Sequence, residues 1–171
     1  LNRDGQPDVV VGTEQGTIWA LDGRSGRPLW QQETGKGEYD QWGIMASAAL
    51  GDLDGDGRDD VVVGARDGRL RALAGPDGRL LWEARADSGI HASPWLQDVD
   101  GDGRLEVLWA ESYGRVALSG GQDGRLRWRQ NLEHPGGGIE GLFSSPVFLR
   151  RSEDGGETWS ISDNNSLCSL D

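Results

Sequence analysis

The stretch Gly68-Arg69-Leu70-Arg71-Ala72-Leu73-Ala74-Gly75-Pro76-Asp77-Gly78-Arg79-Leu80-Leu81-Trp82 decides the fold, because the chain spells it three times. Gly16-Thr17-Ile18-Trp19-Ala20-Leu21-Asp22-Gly23-Arg24-Ser25-Gly26-Arg27-Pro28-Leu29-Trp30 aligns with it without a gap, and so does Gly114 to Trp128. The tryptophans that close these copies, Trp30, Trp82 and Trp128, stand 52 and 46 residues apart. A second block repeats ahead of the first: Gly43-Ile44-Met45-Ala46-Ser47, Gly89-Ile90-His91-Ala92-Ser93 and, more loosely, Gly141-Leu142-Phe143-Ser144-Ser145. Self-similarity at such a period is the mark of a repeat architecture.

Within one period the local signals are strands and turns. Ala48-Ala49-Leu50 and Val61-Val62-Val63-Gly64 are short apolar runs. Asp67-Gly68 is a hairpin signal, Arg69 to Leu73 alternates polar and apolar, and Asp77-Gly78 precedes the closing run Leu80-Leu81-Trp82. No segment sustains a helical period. Four short antiparallel strands in 46 to 52 residues predict an all-β fold, a β-propeller of four-stranded blades. The blades fall at 1–35 (partial), about 43–87, about 89–133 and 141–171 (partial). Leu1 to Gly5 aligns with Leu53 to Gly57, and Ser169-Leu170-Asp171 with Ala20-Leu21-Asp22. The register therefore predicts that the chain opens and closes inside repeats, as a portion of a larger propeller. An ordinary β-sandwich would not repeat over a whole period.

Composition agrees. The 171 residues include 28 Gly and 8 Trp but one Cys and one Met, which suits many tight turns around regularly placed aromatics. Cys168 alone forms no internal disulfide and no Cys-based zinc site, and it stands at a strand position held by Trp19 in the first copy. A mean hydropathy of −0.59 leaves no membrane span in this segment. The formal charge of −12 argues against nucleic acid, whose phosphates need a basic face. The start shows neither an initiator Met nor a signal peptide.

Much of that acidity sits in one loop per blade. The second blade reads Asp52-Leu53-Asp54-Gly55-Asp56-Gly57-Arg58-Asp59-Asp60, and the third Asp98-Val99-Asp100-Gly101-Asp102-Gly103-Arg104-Leu105-Glu106. Carboxylates occupy positions one, three, five and nine, and glycine position six. Such crowding is unfavourable without a central cation, and hard oxygen donors suit calcium. The expected ligands are Asp52, Asp54, Asp56 and Asp60, then Asp98, Asp100, Asp102 and Glu106, with the backbone carbonyls of Arg58 and Arg104. An EF-hand would need a bidentate Glu at position twelve on a helix, where Val63 and Trp109 stand in strands. A third calcium site is expected at Asn2, Asp4 and Asp8. The fourth loop, Arg150 to Thr158, has a cation at its first position and is expected to bind none, with an Arg150–Asp154 contact in place of the ion.

These residues resemble two families. The acidic loop followed by Asp60-Val61-Val62-Val63-Gly64 is similar to the FG-GAP (VCBS, integrin α-like) repeat, whose loops bind calcium. Ala20-Leu21-Asp22-Gly23-Arg24-Ser25-Gly26-Arg27-Pro28-Leu29-Trp30 resembles the tryptophan-docking motif of pyrroloquinoline-quinone-type propellers, where the Trp packs between blades. The literal Phe-Gly and Gly-Ala-Pro signatures of integrins are absent. The resemblance implies a seven- or eight-bladed propeller outside the cytosol, periplasmic, secreted or on the cell surface. It also implies a scaffold or adhesion role, as in the propeller lipoprotein of the bacterial outer-membrane assembly machine. The alternative it offers is a quinoprotein dehydrogenase whose catalytic residues lie outside this segment.

No enzymatic constellation is recognisable. His91 shares its repeat position with Met45 and Phe143, which favours packing or channel lining, and His134 lies in the Gly-rich run Glu133 to Gly138. No nucleophile motif, phosphate loop or zinc spacing accompanies them. Variation gathers in the connections, long at Gln31 to Trp42 and Gln130 to Glu140, short at Glu83 to Ser88. A protein or peptide partner is therefore expected on the face bearing them, at Tyr39, Trp42 and His134, besides the remainder of the chain's own propeller.

Overall fold

The computed structural model describes residues 1–34, 43–132, 145–150, 157–162 and 167–170, and beyond Pro146 the backbone alone. Every described element is a strand, and every pairing is antiparallel between neighbours in sequence. The first sheet has three strands, β1 (Val9–Gly12), β2 (Thr17–Leu21) and β3 (Pro28–Glu33). The second has four: β4 (Ala49–Gly51), β5 (Asp60–Gly64), β6 (Arg69–Leu73) and β7 (Leu80–Arg85). The third repeats it with β8 (Trp95–Gln97), β9 (Glu106–Glu111), β10 (Arg115–Gly120) and β11 (Leu126–Asn131). The fourth contains β12 (Pro146–Arg150), β13 (Glu157–Ser162) and β14 (Leu167–Leu170). These are propeller blades, meandering outward one strand at a time.

Burial explains the composition of each strand. Val61, Val62 and Val63 in β5 are all buried, as are Val107, Leu108 and Trp109 in β9. Both faces of these strands are covered by neighbouring sheets, so the run is continuously apolar rather than alternating. The outer strand β7 alternates, with Trp82 buried and Glu83 exposed. The outer strands also run past the tryptophans: β3 reaches Glu33, β7 Arg85 and β11 Asn131. The connections therefore begin later than Gln31, Glu83 and Gln130, because these polar residues still pair with the third strand, as in Arg69 opposite Arg85. A polar outer edge does not look like a strand in sequence.

One irregularity recurs. The third and fourth strands slip register between Ala20 and Leu21, Ala72 and Leu73, and Leu118 and Ser119. Ala20 faces Trp30 while Leu21 faces Pro28, so Leu29 is the extra residue; Leu81 and Arg127 hold the same place. A bulge of this kind re-aims the side chain it carries.

Adjacent blades are joined by three repeated contacts. Trp30 Nε1 donates to Gly75 O at 2.7 Å, and Trp82 Nε1 to Gly121 O at 2.6 Å, each crossing to the next blade. Both indoles lie against the left-handed glycine of the next blade's outer turn, Gly78 (φ 71°) or Gly124 (φ 68°). Ile44 and Ile90 fill the space beside Gly12 and Gly64, where a Cβ would fall 2.4 and 2.2 Å from the isoleucine. Ahead of the first strands, Ser47 N donates to Ser93 Oγ (2.9 Å) and Ser93 N to Ser145 Oγ (3.2 Å). Trp30 and Trp82 are buried as the docking motif requires, and Trp128 is half-buried.

The glycine contact gives a first expected result. Gly78→Ala forces a non-glycine residue to positive φ, about 1–2 kcal/mol, and drives its Cβ to 2.7 Å from the Trp30 ring. In a Trp30→Ala background the second penalty disappears. Equilibrium unfolding of the two single variants and the double variant is expected to show coupling of about 1 kcal/mol or more. Strict additivity would remove the docking contact from the account.

Candidate metal loops

The acidic loops join the first strand of a blade to the second, at the end where the third and fourth strands also turn. In the second blade, oxygens of Asp52, Asp54 and Asp60 lie within 4.8 Å of one another. The backbone holds them there. Asp52 Oδ1 accepts from Gly55 N (2.8 Å) and Oδ2 from Gly57 N (2.9 Å), while Asp54 Oδ1 accepts from Asp56 N (3.1 Å). Gly55 and Gly57 both have positive φ (82° and 78°), which lets the loop coil back on the Asp52 carboxylate.

Asp60 opens β5 and is 1% exposed. Its carboxylate accepts from Leu53 N (3.1 Å) within the loop and from Gly75 N (3.0 Å) at the outer turn. Burial pushes this carboxyl above the usual range; the two backbone donors oppose that, and the charges of Asp54 and Asp56 add to it. Gly75 is obligatory here, because a Cβ would stand 1.9 Å from Asp59 O.

The third blade repeats the arrangement. Oxygens of Asp98, Asp100 and Glu106 lie within 4.8 Å of one another. Asp98 accepts from Gly101 N (2.7 Å) and Gly103 N (2.9 Å), and Glu106 Oε2 from Val99 N (3.0 Å). Glu106 is fully buried, and burial pushes its carboxyl up. One component is new. The Arg127 guanidinium lies 2.7 Å from Asp100 Oδ2 and 2.7 Å from Glu106 Oε1. Its hydrogen bond holds the Asp100 carboxyl below the usual range.

Of the expected ligands, positions one, three and nine come together, and position five does not join them. Asp56 Oδ1 accepts from Arg58 N and Asp102 Oδ1 from Arg104 N, both at 2.8 Å, so these carboxylates brace the loop. The first loop follows the same scheme: Asn2 Oδ1 accepts from Asp4 N (3.0 Å) and Asp4 Oδ1 from Gln6 N (2.8 Å). Asp8 accepts from Gly23 N (3.1 Å), as Asp60 does from Gly75, and the Leu1 amino group lies 2.9 Å from its other oxygen. The expected Arg150–Asp154 contact, and Tyr39, Trp42 and His134, lie outside the residues whose side chains are described.

The donors of each triad are carboxylate oxygens, hard ligands gathered closely enough to share one metal ion, and such donors suit calcium. In the third loop a guanidinium already bridges two of the three carboxylates, so the cluster takes up positive charge.

The other end of the blades carries the hairpins between second and third strands and the connections from one blade to the next. There His91 is half-buried, its Nδ1 3.2 Å from Ser112 Oγ, which donates to Gly89 O (2.6 Å). Burial and the Arg66 charge lower the pKa of this imidazole. Met45, at the same repeat position, is exposed. A hollow of about 640 Å³, lined by Asp87, Arg115, Arg129, Gln130 and Asn131, opens beside the start of the second long connection.

Comparison with known proteins agrees with the FG-GAP resemblance over the first part of the chain and with the propeller fold. The family model of the FG-GAP-like repeat matches residues 1–63. No curated protein matches the chain in sequence. Among solved structures, BamB from Moraxella catarrhalis superposes with a TM-score of 0.64 at 21% identity, over 93% of this chain and 44% of that one. The quinohemoprotein alcohol dehydrogenase from Comamonas testosteroni gives 0.56 at 16% identity, over 91% of this chain and 28% of that one. Sqt1 from Saccharomyces cerevisiae gives 0.66 at 11% identity, over 90% and 37%. The chain thus spans less than half the length of each of these three proteins, and the likeness is one of fold.

Proposed function

We propose that this chain, an FG-GAP-like repeat continued by blades of the fold seen in BamB and quinohemoprotein dehydrogenase, is the calcium-stiffened part of a non-catalytic propeller scaffold. The scaffold works outside the cytosol and presents its inter-blade connections to a protein or peptide partner. The observation that carries the reading is the placement of matching carboxylate triads at equivalent points of two adjacent blades. Each triad is anchored through a buried acid to its own blade's backbone, by Leu53 N and Gly75 N in one case and Val99 N in the other. Ions held in this way would brace the loops. Calcium supplies charge neutralisation and a rigid loop, and this chain's carboxylates supply the coordination. Millimolar calcium outside the cytosol suits such exposed loops.

The partner face is the one opposite the metal loops. Its connections differ in length from blade to blade, and the hollow beside Gln130 and Asn131 is polar and charged. Replacing Tyr39 and Trp42 with Ser, or deleting residues 136–138, is expected to weaken partner capture at least several-fold and leave Tm unchanged. Pull-down with quantitative mass spectrometry, paired with thermal melts, checks this. Undiminished capture by both variants would move the partner off this face.

A further inference from the structure

We infer that the two triads are unequal calcium sites, because Arg127 is a built-in counter-cation of the Asp98–Glu106 triad and, among the described residues, no arginine pairs with the carboxylates of the Asp52–Asp60 triad. The inference rests on the calcium reading above and specifies how this chain's own residues set affinity at each loop.

Arg127 reaches the triad by way of the bulge in the outer strand. Trp128 faces Leu118 and Leu126 faces Ser119, which leaves Arg127 unpaired in the register. The same position holds Leu81 in the second blade, where it packs on the apolar cluster around Trp82, and Leu29 in the first. A single exchange of Leu for Arg at a re-aimed site therefore converts an apolar contact into a cation at the mouth of the loop. Among the described residues, no arginine pairs with the carboxylates of Asp52, Asp54 or Asp60; Arg58 lies 3.7 Å from Asp56, the position that does not join the triad, and Arg3 donates to the Asp56 carbonyl at 3.4 Å.

The consequence is competition. In the third loop Val99 N donates to one oxygen of Glu106, Asp102 N and Arg127 donate to the two oxygens of Asp100, and the second Glu106 oxygen, buried and accepting no hydrogen bond, faces Arg127 as an ion pair. An incoming ion has to displace the guanidinium from the two carboxylates it would itself bind. Arg127 is 35% exposed at its side chain, so it can withdraw into water, and the loop stays open to calcium at lower affinity. Losing a charge-assisted contact corresponds to roughly a tenfold loss of affinity. Without calcium the roles reverse: Arg127 keeps the buried Glu106 compensated, while Asp60 has only backbone donors. Across a range of calcium concentrations, the second loop fills first and the third only near saturation.

The test is calorimetric titration of the chelator-stripped full chain with calcium chloride, for the wild type, Arg127→Leu and Leu81→Arg. Arg127→Gln serves as a second variant if the leucine disturbs folding. The wild type is expected to show two affinities roughly tenfold apart. Arg127→Leu or Arg127→Gln raises the weaker toward the stronger, and Leu81→Arg lowers the stronger. Calcium binding whose affinities do not respond to Arg127 overturns this inference and leaves the calcium reading standing. No calcium binding in any variant overturns both.

Discussion

Trp82→Ala is expected to lower the stability of the protein by about 3–5 kcal/mol, the range for removing a large buried aromatic. The ring is 8% exposed and belongs to one cluster with Leu53, Val62, Leu70 and Ala72 of its own blade and Val107, Trp109 and Ala117 of the next. Truncation opens a cavity between two blades rather than within one, so neither sheet can close it alone. The loss has a polar part too. Trp82 Nε1 serves Gly121 O at a buried site, and an abandoned buried acceptor costs about 1–3 kcal/mol. Trp82→Phe separates the two: it keeps most of the packing and should cost no more than about half as much as Ala. Urea denaturation of the three proteins measures this. A cost for Trp82→Ala below about 1 kcal/mol would mean that the blades are not held together here.

Calcium removal is the second large effect. A site saturated about a hundredfold above its Kd stabilises the fold by about 2.7 kcal/mol, so stripping two such sites is expected to lower Tm by several degrees at least. The assignment makes a sharper prediction at Asp54, an exposed triad member that packs against nothing in the core. Asp54→Ala is expected to remove most of one site's contribution when calcium is present. In chelator it is expected to be close to neutral, because the negative charge Asp54 then adds beside the buried Asp60 offsets its one exposed hydrogen bond from Asp56 N. Melts of wild type and variant, each with and without chelator, make the comparison. An equal penalty in both conditions would assign Asp54 a purely structural role.

Much of this was legible in the sequence because a propeller writes the same instructions repeatedly. Asp67-Gly68 and Asp77-Gly78 mark two turns that the structure forms, and Arg69 to Leu73 is β6. The loops were legible for the same reason: Asp52, Asp54 and Asp60, or Asp98, Asp100 and Glu106, are set by spacing from a glycine-punctuated turn. What escaped was anything that depends on a direction in space. Asp56 and Asp102 have the right spacing for ligands, yet their carboxylate oxygens lie outside the triads, although they accept from the amide two residues on just as Asp54 and Asp100 do. The polar tails of β3, β7 and β11 read as connections because their pairing partner lies in the preceding strand. Arg127 belongs to no motif, although the triple alignment with Leu29 and Leu81 held the signal: a charge where two copies have leucine. Gly75 and Gly121 were visible as repeated glycines, but their role as acceptors for Trp30 and Trp82 needed the neighbouring blade.

The central claim is that the acidic loops are calcium sites, and counting bound ions tests it most directly. The full chain, equilibrated in millimolar calcium and freed of excess by rapid gel filtration or flow dialysis, is assayed for calcium per protein by mass spectrometry. The account predicts at least two ions on the wild type at saturation, and one fewer after Asp54→Ala or after Asp100→Ala. Wild-type protein that retains no calcium would contradict it, as would a count that neither substitution changes.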